Sequence, residues 1–158
     1  MHSEQYADRL LANCIEVTDK EPARRLEMAH LAVGQAVFQR FIFDAEVLQH
    51  FGEVAKDRAP VHGDRRFAQA AGFEAPIVQG LALATRFSRL IGMYLPGERV
   101  ILQKFELRYR RPVYALRELI YSCRVARILR PMGVVQLALA IAMDGSDCVS
   151  GECQCLVR

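Results

Sequence analysis

Apolar and polar positions divide the chain into a helical first half and a strand-rich second half. Over residues 3–17, Tyr6, Leu10, Cys14 and Val17 recur at helical spacing, with Leu11 and Ile15 beside them; this predicts one amphipathic helix. Residues 18–22 are polar and end at Pro22, and 23–32 fit a second short helix that Gly34 stops. Residues 1–32 therefore read as an N-terminal helical extension on a domain covering 33–158. The run 36–43 (AVFQRFIF) is rich in β-branched and aromatic residues and predicts a largely buried strand. Asp44 is placed to cap the next helix, with Glu46 in its first turn and Val47, Leu48, Phe51, Val54 and Ala55 on one apolar face. Asp64 can cap a short helix with Phe67, Ala70 and Ala71 inward and Gly72 as its stop.

From residue 80 to 94 the pattern is apolar nearly all round, broken only by Arg86, Ser88 and Arg89, so this helix belongs in a core. Pro96-Gly97 ends it. Beyond residue 99 the period falls to two, predicting strands over 100–109, 119–128, 133–143 and 148–157, with a turn at Asp144-Gly145. Long strands joined by short connections predict an antiparallel meander, and wrapping that sheet around one apolar helix buries both apolar faces. The expected fold class is α+β.

The chain has 158 residues, enough for one core, and 52% apolar with 25% charged residues is ordinary globular composition. The formal charge of +3 is small and tryptophan is absent. The one dense basic run, Arg108-Tyr109-Arg110-Arg111, reads as a strand end before Pro112, which argues against a nucleic-acid partner. No basic flank leads into an apolar leader. The longest apolar run, 134–143, is interrupted by Gln136 and is too short to span a bilayer. The five cysteines are odd in number and irregular in spacing, so no disulfide framework is expected. Cys153-Gln154-Cys155 lacks a nearby His/Cys pair to complete a metal site and reads as buried thiols. A reducing, cytoplasmic location without a metal is the expectation.

Candidate chemistry concentrates in Asp57-Arg58-Ala59-Pro60-Val61-His62. Pro60 fixes its own φ and pushes Ala59 out of the helical region, so a helix ending near Lys56 must turn there. Such a turn can bring the Asp57 carboxylate and His62 imidazole onto one small volume, where the pair could hold a water and move its protons. The same residues equally suit a turn cap and a solvated histidine. A second loop, Ala75-Pro76-Ile77-Val78-Gln79-Gly80, opens the apolar helix, whose first N–H groups have no partner within the helix and could face a substrate oxygen. His30 and His50 read as surface residues on helices.

These motifs, in this order, resemble the MaoC-like dehydratases, the (R)-specific enoyl-CoA hydratases of the hot dog fold. The resemblance rests on Asp57, Pro60, Val61 and His62, then Phe67-Ala68-Gln69-Ala70-Ala71-Gly72-Phe73, then Pro76-Ile77-Val78-Gln79-Gly80. It continues in Leu95-Pro96-Gly97 and Arg108-Tyr109-Arg110-Arg111-Pro112-Val113, covering the chain from about residue 33 onward. It implies syn addition of water across a trans-2-enoyl thioester, or the reverse dehydration of an (R)-3-hydroxyacyl thioester, with Asp57 and His62 binding the water. It places the Gly80 backbone N–H on the thioester oxygen, with Gln79 and Val78 beside the substrate and Arg108 and Arg110 reaching carrier phosphates. It implies no metal or organic cofactor, an acyl-CoA or acyl-carrier-protein thioester as partner, and a homodimer whose sheets join side by side.

The chain departs from the family pattern around the loop. Ala55-Lys56 stands where Ser-Gly is common, Ala59 where asparagine is common, and Gln79 where histidine is frequent. A positive Lys56 beside Asp57 would favour the carboxylate form if the two approach. The altered surroundings leave a rival reading, a non-catalytic acyl-thioester binder or partner subunit. A thioesterase is a weaker rival, since the Asp-x-x-Pro-Val-His run argues against it.

Overall fold

The computed structural model describes residues 14–158. Its sheet has six strands: β1 (Cys14–Glu16), β2 (Ala36–Ile42), β3 (Val100–Tyr109), β4 (Glu118–Leu129), β5 (Val134–Met143) and β6 (Ser146–Val157). Three helices accompany it: α1 (Ala45–Ala55), α2 (Arg65–Ala70) and α3 (Gly80–Arg89). The expected strands and the three downstream helices form within a residue or two of their predicted limits. Helix α3 runs straight on into a π-helical stretch, Leu90–Tyr94, before the chain turns at Pro96-Gly97. No helix among the described residues is long and apolar enough to cross a membrane.

The sheet order is β1-β2-β4-β5-β6-β3. Strands β4, β5 and β6 are consecutive antiparallel neighbours, but β3 crosses to the far side and pairs antiparallel with β6 rather than with β4. The expected four-strand meander is therefore corrected to a three-strand one with β3 at its open edge. The cause lies in 110–117, which does not turn back as a hairpin. The Arg110 N–H donates to the Cys148 carbonyl, Val78 N–H donates to the Val113 carbonyl, and Leu116 N–H donates to the Phe43 carbonyl. That segment is thereby drawn across to β2, beside which β4 starts. The sheet is also mixed, since β1 pairs parallel with β2.

The N-terminal helices are the second correction. Residues 3–13 of the first expected helix lie outside the described residues. Its end is strand β1, and the Val17 N–H continues the pairing to the Phe38 carbonyl at 2.9 Å. The second expected helix, over 23–32, shrinks to one 3₁₀ turn at Met28–His30. Its backbone is engaged elsewhere: Arg24 N–H donates to Met93 O at 2.7 Å and Arg24 O accepts from Glu98 N–H at 3.1 Å. A backbone committed to those tertiary bonds cannot also close helical turns. Gly97 is required at this crossing, because its φ is +100° and a Cβ there would overlap the Arg24 carbonyl. Val17 and Leu31 are each 1% exposed and belong to the same apolar cluster as Phe87, Leu90 and Tyr121.

Helix α3 is buried through Ala82, Leu83 and Phe87, and the sheet's inner residues Leu119, Tyr121, Leu137 and Ile141 close over it. The Phe87 and Tyr121 rings meet edge-on at 5.2 Å, and Tyr121 donates its hydroxyl to the Leu83 carbonyl at 3.1 Å. A sheet curled around one central helix is the hot dog arrangement, as expected. Helix α1 lies outside, capped by Asp44 accepting from Val47 N–H at 2.9 Å. Val47, Leu48 and Phe51 pack on the core, while Val54 and Ala55 stay exposed. On α2 the buried residue is Ala68; Phe67, expected inward, is half exposed.

Candidate active site

The site begins where α1 stops. Lys56 ends it in a left-handed conformation (φ 56°) and turns the chain away. The Asp57 side chain then accepts from the Ala59 N–H at 3.1 Å through one carboxylate oxygen, Oδ1, holding the loop in a side-chain turn. Pro60 opens a 3₁₀ turn over Pro60–His62, and this turn carries His62 back toward Asp57. Nε2 of His62 lies 3.8 Å from Oδ2 of Asp57, with the two side chains 16% and 39% exposed. The expected convergence across the proline occurs.

The second loop fixes the imidazole. Nδ1 of His62 is 2.8 Å from the Ile77 carbonyl. A carbonyl only accepts, so Nδ1 carries the proton and the lone pair of the neutral ring sits on Nε2. Ile77 is held by its own N–H on the Val61 carbonyl at 3.2 Å and by a bridge to Tyr114. With the carboxyl ionised and the ring neutral, Asp57 Oδ2 and His62 Nε2 are both acceptors and do not bond each other directly. One water between them can donate a hydrogen to each, which leaves its own lone pairs facing outward.

Asp57, His62 and Gln79 line one open cleft of about 450 Å³, together with Leu48, Gly52, Arg58, Ala59, Pro60, Gly63 and Asp64. Gln79 is 7% exposed and its side chain makes no cap on α3. Gly80 follows as the first residue of α3, and its carbonyl accepts from the Tyr109 hydroxyl at 2.7 Å. A Cβ on Gly80 would stand 3.2 Å from the half-exposed Tyr109 ring, which would have to shift by a few tenths of an ångström to admit it.

The other expected site residues stand elsewhere. Val78 is buried and bonds Val113 rather than facing the cleft. Arg108 is exposed on edge strand β3 and Arg110 just past its end; Arg108 bonds Glu106 at 3.1 Å and Arg110 bonds Ser150 at 3.0 Å. Arg108 borders a different surface hollow with Lys104, Glu106 and Glu152. Cys153 and Cys155 are buried with sulfurs 3.9 Å apart, and no cluster of three metal-ligating side chains exists among the described residues. The structure adds the Ile77 carbonyl, Arg58 and Asp64 to the site. Arg58 lies within the motif and Asp64 two residues beyond it in the sequence, whereas a main-chain carbonyl has no residue signature.

Fold and cleft together define a hot dog domain with a carboxylate–imidazole pair at the mouth of its central helix. The model of the MaoC-like domain matches residues 23–126, and the chain belongs to that family. An (R)-specific enoyl-CoA hydratase from Aeromonas caviae is 32% identical over 123 residues, covering 77% of this chain and 92% of the relative. A mitochondrial 3-hydroxyacyl-[acyl-carrier-protein] dehydratase from Arabidopsis thaliana is 34% identical over 84 residues, 53% of this chain and 49% of the relative. Among solved structures, the A. caviae (R)-hydratase superposes with a TM-score of 0.77 at 31% identity, covering 81% of this chain and 98% of that one. An unliganded R-hydratase from Pseudomonas aeruginosa gives a TM-score of 0.79 at 29% identity, covering 87% and 88%.

Proposed function

We propose that this protein adds water to trans-2-enoyl thioesters, giving (R)-3-hydroxyacyl thioesters, and catalyses the reverse dehydration. The observation that carries the reading is the pair of acceptors, Asp57 Oδ2 and His62 Nε2, 3.8 Å apart across an open cleft with the imidazole tautomer set by Ile77. A water held by both hydrogens presents its oxygen to C3 of the enoyl group. As the C3–O bond forms, one O–H bond breaks and its proton passes to the pair. A proton is returned to C2 on the same face, so the pair ends the cycle as it began it. Charge that collects on the thioester oxygen is met at the start of α3, where the Gly80 N–H has no partner within the helix and needs no reorganisation to donate. The names of the relatives support this class of reaction.

The acyl carrier is CoA or a carrier protein. The functional unit is a homodimer joined along the open edge of β3, where Ile101 (48%), Leu102 (49%) and Tyr109 (48%) are exposed. Substituting alanine for Asp57 or for His62 lowers the rate of crotonyl-CoA hydration about 10²- to 10⁴-fold, the usual size of lost acid/base catalysis. Near-full hydration by both variants would exclude this mechanism. A panel of enoyl-CoAs of different lengths, followed by absorbance, separates it from the non-catalytic binder, which would bind acyl-CoA tightly and turn over none of them.

A further inference from the structure

Gln79 is an N-cap residue that does not cap. Its backbone sits in the usual place, with φ −58°, ψ 133° and its carbonyl accepting from Leu83 N–H at 3.1 Å. Its side chain, however, makes no bond to the first N–H groups of α3, nor to any other described residue. It is 93% buried by its 7% exposure and lines the cleft that holds Asp57 and His62. Its amide atoms are not among the fully buried, unpartnered ones, so the two N–H donors and the acceptor oxygen open onto the cleft. The ten-residue α3 is meanwhile left with uncapped N–H groups at its positive end. The amide N–H donors and the helix N–H groups suit the same thing, a ligand oxygen carrying negative charge.

We propose that the Gln79 carboxamide donates a hydrogen bond to the thioester oxygen of the substrate, as a second donor beside the Gly80 amide. This rests on the hydration reading above. Among the side chains lining the cleft, Gln79 is the neutral donor available. A neutral donor stabilises the enolate-like oxygen without drawing the Asp57 carboxylate out of its turn. A cation in that place would compete for Asp57, as Arg58 at the exposed rim does not. The amide also adds no proton of its own to the exchange, so the acid/base work stays with Asp57 and His62. Its contribution grows as charge develops, and therefore falls on kcat rather than on KM.

The test is steady-state hydration of crotonyl-CoA by wild type, Gln79→Ala, Gln79→Glu and Asp57→Ala, each checked for wild-type-like thermal unfolding. Gln79→Ala is expected to lose about 10²-fold in kcat, as for one oxyanion donor, with KM moving no more than about threefold. Gln79→Glu keeps the shape and so keeps the test alive if the alanine variant folds poorly. Its carboxylate opposes the developing charge at high pH, while its protonated form can donate. Its kcat relative to wild type should therefore rise as pH is lowered from about 8 to about 5.5, through the range of a partly buried carboxyl. Asp57, Arg58, His62 and Asp64 face the same cleft, and taking the ratio to wild type cancels their titration. An Ala variant within about threefold of wild-type kcat, or a Glu variant with a flat ratio, overturns the role of Gln79 while leaving hydration intact. An unaffected Asp57→Ala, or a wild type inactive across the enoyl-CoA panel, overturns the hydration reading itself and this role with it.

Discussion

Removing the Asp19 carboxylate should loosen the clasp between the N-terminal segment and the central helix. One oxygen, Oδ1, accepts from Gln39 Nε2 at 2.6 Å and from an Arg86 terminal nitrogen at 2.8 Å. Arg89 Nε lies 2.9 Å from the same oxygen, an ion pair whose N–H is not aimed along it. The guanidinium side chains are 18% and 25% exposed, but Asp19 itself is 57% exposed. Hydrogen bonds to a charged group are worth about 1.5–3 kcal/mol each, so two give about 3–6 kcal/mol before screening. Solvent around an exposed carboxylate removes a large share of that, leaving about 2 kcal/mol for Asp19→Ala. For a chain of this size that lowers Tm by about 4–8 °C at pH 7, read by circular dichroism. The pH dependence follows from the carboxyl itself. Burial alone would raise its pKa, but the bonds from Gln39 and Arg86 and the two positive charges outweigh burial and hold it below its usual value. A carboxyl depressed in the folded state gives stability that is full above its unfolded pKa and lost as pH falls through the folded one. The gap between wild type and variant should stay constant from about pH 7 to 5 and close below about pH 4. A Tm within about 1 °C of wild type at pH 7, or a gap that widens in acid, would refute the reasoning.

Gly80→Ala presses its new methyl on the half-exposed Tyr109 ring from 3.2 Å, so in urea unfolding the Gly80→Ala/Tyr109→Ala pair should be more stable than the sum of the two single changes predicts, the contact having been removed. Tyr121→Phe should cost about 1 kcal/mol through its lost bond to the Leu83 carbonyl, since Tyr121 is fully buried. Of the five thiols, Cys123, Cys148, Cys153 and Cys155 are buried, so a native-state thiol titration should find at most Cys14 reacting promptly, and all five after denaturation. Fast reaction of two or more native thiols would contradict the packing.

The downstream half of the fold was legible because its signals are local and redundant. Period-two patterning, Asp-Gly at the β5–β6 turn and Asp44 ahead of α1 each act within a few residues, and each agrees with its neighbours. Reading failed where one choice depends on distant partners. Residues 14–17 carry apolar side chains at helical spacing, yet the same residues suit a strand once β2 offers a free edge. Arg24 and Arg25 have ordinary helix propensity, but Met93, Gly97 and Glu98 take their backbone groups first. Strand order failed for a related reason. Alternation identifies strands but not neighbours, and the 110–117 connection is tied by backbone bonds to residues from Phe43 to Cys148.

The candidate site divides along the same line. Asp57, Pro60 and His62 could be read together because a proline constrains its immediate surroundings, so six residues of sequence imply a geometry. What selects the chemistry could not be read so. Without the Ile77 carbonyl at 2.8 Å from Nδ1, either nitrogen of His62 could carry the proton, and the pair could bond directly instead of leaving room for a water. That carbonyl is positioned by a loop pinned to Tyr114 and Val113 from the far side of the sheet connection. The altered Ala59 matters less than its sequence suggests, whereas Lys56 holds a left-handed φ of 56° that glycine adopts more readily. The Ala59 contact that holds Asp57 is made by its backbone N–H at 3.1 Å, which any residue but proline supplies. A departure at Ala59 therefore leaves the turn standing, while Gln79, a buried residue with no protein partner for its side chain, lines the cleft itself.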